Sequence, residues 1–319
     1  LIVAYSVIMS WFTTQRYDSF QACFYDLGIF NHDFWVKVFD PERILGLQSV
    51  IFGGHVAPTL YLLVPFYAMY PCCKMLLVLQ TIILASAAIP LYLIARETFS
   101  SSKLGLVFSA AYLLYPPLHW VNRADFHAQA LVPVLLLSMF YFYRRNNSLF
   151  TLFLFLTAFT IEFAPLLVIF FGIYTLFREF LSSRGKEFTY SVFRMPLLST
   201  LAGVAILLFQ HISVSSLQAS YPCLHCQWLF GFERALPLQV VRSGVGTGMS
   251  FDILLEPTAI VDCIGSDSAL KLDYMRSIFG FAGFIPFLAP LSLLLAAPWL
   301  AIVLLTSYPP YYDATAHYS

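Results

Sequence analysis

A run of 21 residues without a charged side chain, residues 75–95, constrains the fold of this chain more than any other feature. A helix needs about 20 consecutive apolar residues to cross the hydrocarbon core of a bilayer. The whole chain shares this character, because 60% of its residues are hydrophobic and only 11% are charged, whereas soluble domains carry about 25% charged residues. The sequence therefore predicts an all-α, polytopic transmembrane helical protein whose first partner is the lipid bilayer.

Other apolar segments predict further spans at residues 104–120, 128–143, 149–177, 197–214 and 278–305. The segments 149–177 and 278–305 are long for one span, and we expect each to be a hairpin of two short helices. The first is predicted to turn near Glu162 and Pro165, and the second is broken by Pro286, Pro290 and Pro298, since proline removes a helical hydrogen bond. The run 1–12 is too short to span alone, so we expect a fragment that begins inside a helix, with residues 1–319 forming one transmembrane domain.

The distribution of charge predicts the orientation of the chain. Loops 96–103, 144–148 and 178–194 hold 8 basic and 3 acidic residues, and the remaining residues include 9 basic and 14 acidic ones. Cytoplasmic loops are enriched in Lys and Arg, so we assign these three to the cytoplasmic side of the plasma membrane. Residues 14–74 then form a first external loop with interfacial helices, and residues 215–277 form a second external loop. The net charge of zero argues against nucleic acid as a partner, because phosphate binding needs a basic surface.

All six cysteines fall on the external side of this topology: Cys23, Cys72, Cys73, Cys223, Cys226 and Cys263. Disulfides persist in such an oxidising compartment. The pair Cys223 and Cys226 has the spacing of half a zinc site, but a second pair of ligands at ordinary spacing is not visible. We therefore favour a disulfide, for which Cys263 is one candidate partner, and free thiols stay open as an alternative.

Residues 16–35 place acids and aromatic rings directly after the first apolar run. In a helix from Asp26 onward, Asp26, Asp33 and Lys37 fall on one line, and Leu27, Phe30, Phe34 and Val38 form a stripe beside it. This pattern predicts an amphipathic helix in the membrane interface, with its aromatic rings at the headgroup level and its carboxylates facing water or a cavity. The alternative is a simple interfacial anchor whose acids form a solvated face.

Five short motifs occur in order along nearly the whole length of the chain. They are YDLGIF (25–30), GHVAPTLYLLVPFYAMYP (54–71), LLYPPLHWVNRADFHAQAL (113–131), TIEFAPLL (160–167) and HYS (317–319). Together they resemble a family of predicted prokaryotic membrane proteins of unknown function, which is similar to the GT-C superfamily of integral-membrane glycosyltransferases. The family usually continues past HYS with more helices, so the resemblance implies that the fragment is truncated at its C-terminal end too. The resemblance implies a GT-C-like fold and the transfer of a sugar from a polyprenyl-phosphate donor on the external face. It also implies an acid in the first external loop that acts as general base or metal ligand, and Asp26 is the matching position.

The sequence departs from the family pattern at three of these motifs. An acid and a Gln are expected after GIF, a Pro and a Glu after DFH, and a Lys and an Asp on either side of the Glu in TIEF. The residues present instead are Asn31, His32, Ala128, Gln129, Ile161 and Phe163. These departures leave open a different substrate, metal independence or an inactive member. Asp33 follows the first missing acid, and whether it compensates for that acid stays open as well.

The candidate site residues follow from these motifs and from charge. Asp26, Asp125 and Glu162 are the candidate catalytic residues, and Glu162 is notable because an acid between apolar half-helices is costly unless it faces a cavity or a partner. Asp26 and Asp125 are also candidate ligands for a divalent cation, Mg or Mn. Candidate substrate-binding residues are Tyr25, Arg16, His55, Arg123, His127, His317 and Tyr318. Arg16 and Arg123 are suited to a lipid phosphate, with pairing to Asp18 and Asp125 as the alternative.

We therefore expect a membrane glycosyltransferase that acts on the extracytoplasmic face with a polyprenyl-phosphate-linked sugar. One alternative is a transporter or flippase of lipid-linked sugars. Transporters place charges near the midplane on broken helices of paired repeats, whereas most charges of this chain crowd one face and no internal repeat is visible. Another alternative is a non-catalytic membrane assembly subunit that keeps the fold without the activity.

Overall fold

The computed structural model describes residues 1–22, 24–40, 56–161, 163–183, 190–218, 261, 264–265, 267–305 and 312–313. Every regular element among these residues is helical, which confirms the all-α prediction. The chain divides into two compact units, Leu1–Ala164 and Pro165–Ser319. The predicted external loops 14–74 and 215–277 refer to a membrane, and they stay predictions.

The first unit contains nine of the described α-helices. They are α1 (Ile2–Asp18), α2 (Phe24–Phe39), α3 (Val64–Tyr67), α4 (Cys73–Ser86), α5 (Ala88–Thr98), α6 (Ser102–Leu113), α7 (Pro116–Arg123), α8 (Val132–Phe142) and α9 (Asn147–Ala158). Short 3₁₀ helices at Pro58–Leu63 and Ala128–Leu131 precede α3 and α8. The described α-helices of the second unit are α10 (Ala164–Ser182), α11 (Tyr190–Gln218), α12 (Ser268–Gly280) and α13 (Ala297–Leu305), with 3₁₀ helices at Ile285–Leu288 and Pro290–Leu295.

Three described helical segments are long and apolar enough to cross a membrane: Cys73–Thr98, Ala164–Ser182 and Val192–Gln210. The first is formed by α4 and α5 and contains the predicted span 75–95. A fourth candidate is the pair α6 and α7, which is bent by 46° within the predicted span 104–120. These segments confirm that the chain is a transmembrane helical protein.

The two long apolar segments are broken near the predicted positions. The first break lies between α9 and α10. The segment 149–177 was predicted to form two short helices, and this is wrong for its second helix, because α10 has 19 residues and is long enough to span alone. The second segment consists of the end of α12, two 3₁₀ helices and α13, with Pro286, Pro290 and Pro298 each within the first two residues of an element. Proline is tolerated there because the first turn of a helix needs no N–H donor.

Helix α1 packs on α4 and is apolar on both faces. Tyr5 and Met9 are buried in a core cluster with Leu84 of α4. The opposite face exposes Val3, Val7, Ile8 and Trp11. A helix that is apolar all round requires an apolar environment on its outer side, which lipid supplies.

The bend between α6 and α7 has an identifiable cause. Pro117 has no N–H, so it cannot donate to the carbonyl of Leu113 four residues earlier. The ring nitrogen Nε2 of His119 lies 2.6 Å from this carbonyl oxygen and donates to it instead. The break in the helix is therefore compensated by a side chain one turn further along.

Two glycines allow α10 and α11 to pack closely within the second unit. A methyl group at Gly172 would lie 2.2 Å from Oγ1 of Thr200, 2.7 Å from its backbone nitrogen and 2.8 Å from the carbonyl oxygen of Pro196. One at Gly203 would lie 2.6 Å from Ile169. Between them Ser199 donates a hydrogen bond of 2.8 Å to the carbonyl of Val168. Small residues and interhelical hydrogen bonds of this kind drive helix association in membranes.

We expect Gly172→Ala to destabilise the protein by about 1–3 kcal/mol, because the methyl group would meet the backbone of α11, which cannot rotate away. The matched control is Gly28→Ala, since a methyl group there has no heavy atom within 4 Å and alanine favours a helix. Thermal unfolding in detergent gives the Tm of each purified variant and of wild type. An equal Tm for Gly172→Ala and wild type would contradict the close packing of α10 on α11.

Candidate functional site

The apolar stripe of α2 faces the protein interior. Leu27, Phe30 and Phe34 are buried in the core of the first unit, so the prediction that these side chains rest at the lipid headgroup level is wrong. Phe126 of the DFH motif is fully buried, and its ring makes edge-to-face contacts with Phe30 at 5.3 Å and Phe34 at 5.8 Å. The periodicity identified one face of the helix, but it could not distinguish contact with protein from contact with lipid.

The polar line of α2 is divided between the core and the surface. Asp33 and Lys37 are buried and form an ion pair of 3.5 Å one helical turn apart. Of the two surroundings predicted for the carboxylates, water or a cavity, water is therefore wrong for Asp33. Asp26 keeps 31% of its side-chain surface exposed, and the outer face of α2 carries the exposed rings of Trp35 and Phe39.

Tyr67 fixes α2 against the segment that follows Pro58–Leu63. Burial raises the pKa of Tyr67 to about 12, so its hydroxyl stays protonated. This hydroxyl donates a hydrogen bond of 2.8 Å to Oδ1 of Asn31. Burial, reinforced by the negative charge of Asp33, likewise raises the pKa of Tyr61, whose ring lies 6.0 Å from the ammonium of Lys37. Two of the sequence motifs, 25–30 and 54–71, are thereby held together.

Asp26 and His127 meet although they are 101 residues apart in the chain. Oδ2 of Asp26 lies 3.3 Å from Nε2 of His127, and the other ring nitrogen, Nδ1, lies 2.6 Å from the backbone carbonyl of Asp125. A carbonyl only accepts, so Nδ1 carries a proton. The contact between Nε2 and Oδ2 then requires one further proton, either on an imidazolium facing a carboxylate or on a carboxylic acid facing a neutral ring.

Gln80 of α4 holds the loop that carries His127, and sequence reasoning missed it. Its Oε1 accepts a hydrogen bond of 2.9 Å from the backbone N–H of His127. Its Nε2 donates to the carbonyls of Asp125 at 3.3 Å, Ala124 at 3.4 Å and Val121 at 3.4 Å. The signal was available, because a glutamine inside an apolar span needs polar partners within the protein.

The Asp125 side chain is buried, with 5% of the residue exposed, and its backbone carbonyl is the group that contacts His127. Among the described residues, no group of three or more His, Cys, Asp or Glu side chains has the arrangement of a metal site. The described residues thus do not form a complete ligand set for Mg or Mn, and we derive no step through a metal. The ligand roles of Asp26 and Asp125 stay predictions.

Arg16 lies beside the end of α7. Its guanidinium donates to the backbone carbonyl of Arg123, two residues before Asp125. The alternative pairing of Arg16 with Asp18 is wrong, because Asp18 pairs with Lys74 at 2.6 Å. Arg123 is exposed. Two guanidinium-bearing residues therefore stand at the same end of the helix that leads into the Asp125–His127 loop.

Thr59 brings the motif 54–71 next to the motif 160–167. Its backbone N–H donates to the carbonyl of Phe159 at 3.2 Å, and its hydroxyl donates to the carbonyl of Leu156 at 2.8 Å. Leu156 lies in the last turn of α9 and Phe159 directly follows the helix, where carbonyls have no backbone donor within the helix. The hydroxyl of Thr160 also donates to the carbonyl of Leu156, at 2.7 Å. The contacts of Thr59 join the segments that lead to two further candidate residues, His55 and Glu162.

Several predicted residues lie outside the described part of the chain. These are Glu162, His55, His317, Tyr318, the side chain of Tyr25, and four of the cysteines, Cys23, Cys223, Cys226 and Cys263. The disulfide and zinc hypotheses for Cys223, Cys226 and Cys263 fall there too. Cys72 and Cys73, which are described, are free thiols.

Comparisons with known proteins show the family to which the chain belongs. The family model DUF2079, described as a predicted membrane protein, matches residues 16–319. Neither the curated proteins nor the solved structures contain a match. The matched region includes all five motifs and all of the candidate membrane spans. The chain therefore belongs to the DUF2079 family of predicted membrane proteins.

Proposed function

We propose that the protein is a membrane glycosyltransferase of GT-C type that transfers a sugar from a polyprenyl-phosphate donor to an acceptor on the extracytoplasmic face of the plasma membrane. The observation that carries the proposal is the 3.3 Å contact between Asp26 and His127. It pairs a partly exposed carboxylate of the first predicted external loop with a buried imidazole of fixed orientation. Such a pair is suited to accept and hold a proton from a hydroxyl group.

The chemistry assigned to this pair is an inverting displacement. The acceptor hydroxyl gives its proton to the Asp26 carboxylate as its oxygen forms a bond to the anomeric carbon of the sugar. The bond between that carbon and the phosphate oxygen breaks, and polyprenyl phosphate leaves with the electron pair. When Nε2 of His127 carries the shared proton it donates to Oδ2, which orients the carboxylate before the transfer.

The leaving phosphate needs positive charge in its vicinity, and Arg16 and Arg123 are proposed to supply it. Guanidinium groups bind phosphate oxygens through paired N–H donors. Because the donor is anchored by its lipid chain, its phosphate stays near the membrane surface. The same proposal includes a catalytic role for Glu162 and substrate-binding roles for Tyr25, His55, His317 and Tyr318. It also includes a divalent cation at Asp26 and Asp125.

A transporter or flippase of lipid-linked sugars is the second candidate. The 46° break between α6 and α7 favours it, because transporters build their binding sites at broken helices. A non-catalytic subunit is the third. An Asp–His pair also relays protons in some transporters, so the contact alone does not separate the candidates. A transfer assay separates both from the enzyme.

We expect Asp26→Asn to lower sugar transfer about 10²–10⁴-fold, the usual contribution of a general base. The measurement is transfer from a panel of radiolabelled polyprenyl-phosphate sugars in membranes that contain the full-length protein, with and without a chelator. Asp18→Asn is the matched control, since Asp18 is an exposed acid of the same predicted loop that pairs with Lys74. Loss of wild-type transfer on chelation would assign Asp26 to a metal instead of a base. Absence of transfer with every donor, in folded protein, would favour the transporter or the subunit.

We expect the double variant Arg16→Gln, Arg123→Gln to raise the KM for the lipid-linked donor about 10-fold or more, the cost of a lost charge-assisted hydrogen bond. Arg144→Gln serves as the control, because Arg144 is exposed and belongs to a loop assigned to the cytoplasm. Initial rates over a range of donor concentrations give both KM values. A donor KM equal to that of wild type would remove the two arginines from the phosphate site.

A further inference from the structure

Gln80 is buried in the first candidate span, with only 1% of its surface exposed. An amide in such a place is costly unless both its oxygen and its nitrogen find partners. The Gln80 amide finds them all in one short stretch of backbone, the end of α7 and the loop after it. It therefore fixes that loop at both of its ends.

The bonds of Gln80 converge on the ring of His127 by two routes. The first is the backbone N–H of His127, which donates to Oε1 at 2.9 Å. The second is the carbonyl of Asp125, which accepts from both Nε2 of Gln80 at 3.3 Å and Nδ1 of His127 at 2.6 Å. The backbone position and the protonated nitrogen of the imidazole are therefore both set by one side chain of α4.

We propose that Gln80 is the positioning residue that holds His127 with Nδ1 protonated and Nε2 directed at Asp26. This inference rests on the proposed function only for its catalytic consequence. Gln80 does not contact the reacting atoms, and it acts through His127. Its removal takes one of two donors from the carbonyl of Asp125 and the side-chain acceptor from the backbone N–H of His127, so the imidazole is held less firmly in its orientation toward Asp26.

The direct test is chemical modification of His127 by diethylpyrocarbonate, followed by mass spectrometry, in membranes containing the full-length protein. In wild type both ring nitrogens of His127 are engaged and only 8% of the residue is exposed, so modification is slow. We expect Gln80→Leu to increase its rate about 10-fold, as the loss of one hydrogen bond implies. His119 is the internal control, because its ring bonds to the carbonyl of Leu113, which is not among the hydrogen-bond partners of Gln80.

Two variants separate positioning from a general effect on folding. Gln210→Leu makes the same change at a buried glutamine of another candidate span, and we expect His127 modification to stay at the wild-type rate. Gln80→Glu keeps an oxygen that accepts from His127, and we expect it to restore much of the slow modification. Unchanged His127 modification in folded Gln80→Leu protein would overturn the proposal.

The transfer assay then separates two claims: that Gln80 positions His127, and that this positioning contributes to catalysis. With an active wild type, we expect Gln80→Leu to lower kcat about 100-fold, as expected for a misplacement of about 1 Å, and to change the donor KM less than threefold. An unchanged kcat would overturn the catalytic role of the positioning. If wild type transfers no sugar and Gln80→Leu still accelerates His127 modification, the positioning by Gln80 stands and the proposed glycosyltransferase function fails.

Discussion

Lipid offers no hydrogen bonds, so every carbonyl that is freed by a helix break inside this bundle must find a donor from the protein. The first unit meets this constraint at three breaks. His119 serves the carbonyl of Leu113, Gln80 serves the carbonyls at the end of α7, and Thr59 serves those at the end of α9. Two of the three donors come from segments more than 40 residues away in the chain. Hydrogen bonds to the carbonyls at these breaks therefore join segments that are distant in the chain, and they bring the motifs together.

The candidate site forms at the break after α7. The loop held by Gln80 carries Phe126, which packs on Phe30 and Phe34 of α2, and His127, which meets Asp26 one turn before Phe30. An apolar contact and a polar contact between the same two segments thus support each other. Because the aromatic cluster excludes water on one side, the ion pair or acid–imidazole pair at Asp26 interacts more strongly than it would in bulk solvent.

Sequence reasoning predicted the elements better than their surroundings. The span around residues 75–95 was predictable because hydrophobic length alone determines it. The helical line of Asp26, Asp33 and Lys37 was also correct, but periodicity does not reveal that the last two form a pair inside the protein. The contact of Asp26 with His127 joins residues 101 positions apart, and no local pattern encodes it. Gln80 was missed because the search considered charged residues and not amides. An amide within a membrane span also needs polar partners inside the protein, as a charged side chain does.

The position of Gln80 along the first candidate span also relates the site to the membrane surface. It lies seven residues after Cys73, which places it about 10 Å along the helix axis from that end. The charged residues Lys74, Asp18 and Arg16 stand at the same end, whereas the Glu97–Arg145 pair stands at the other. The loop with His127 is therefore anchored just inside the apolar region, and Asp26 reaches it with part of its carboxylate still exposed. The proposed function requires the phosphate of a lipid-linked donor to approach this end of the span, where α2 presents the partly exposed carboxylate of Asp26 beside His127 and no unpaired charge has to be buried in the bilayer.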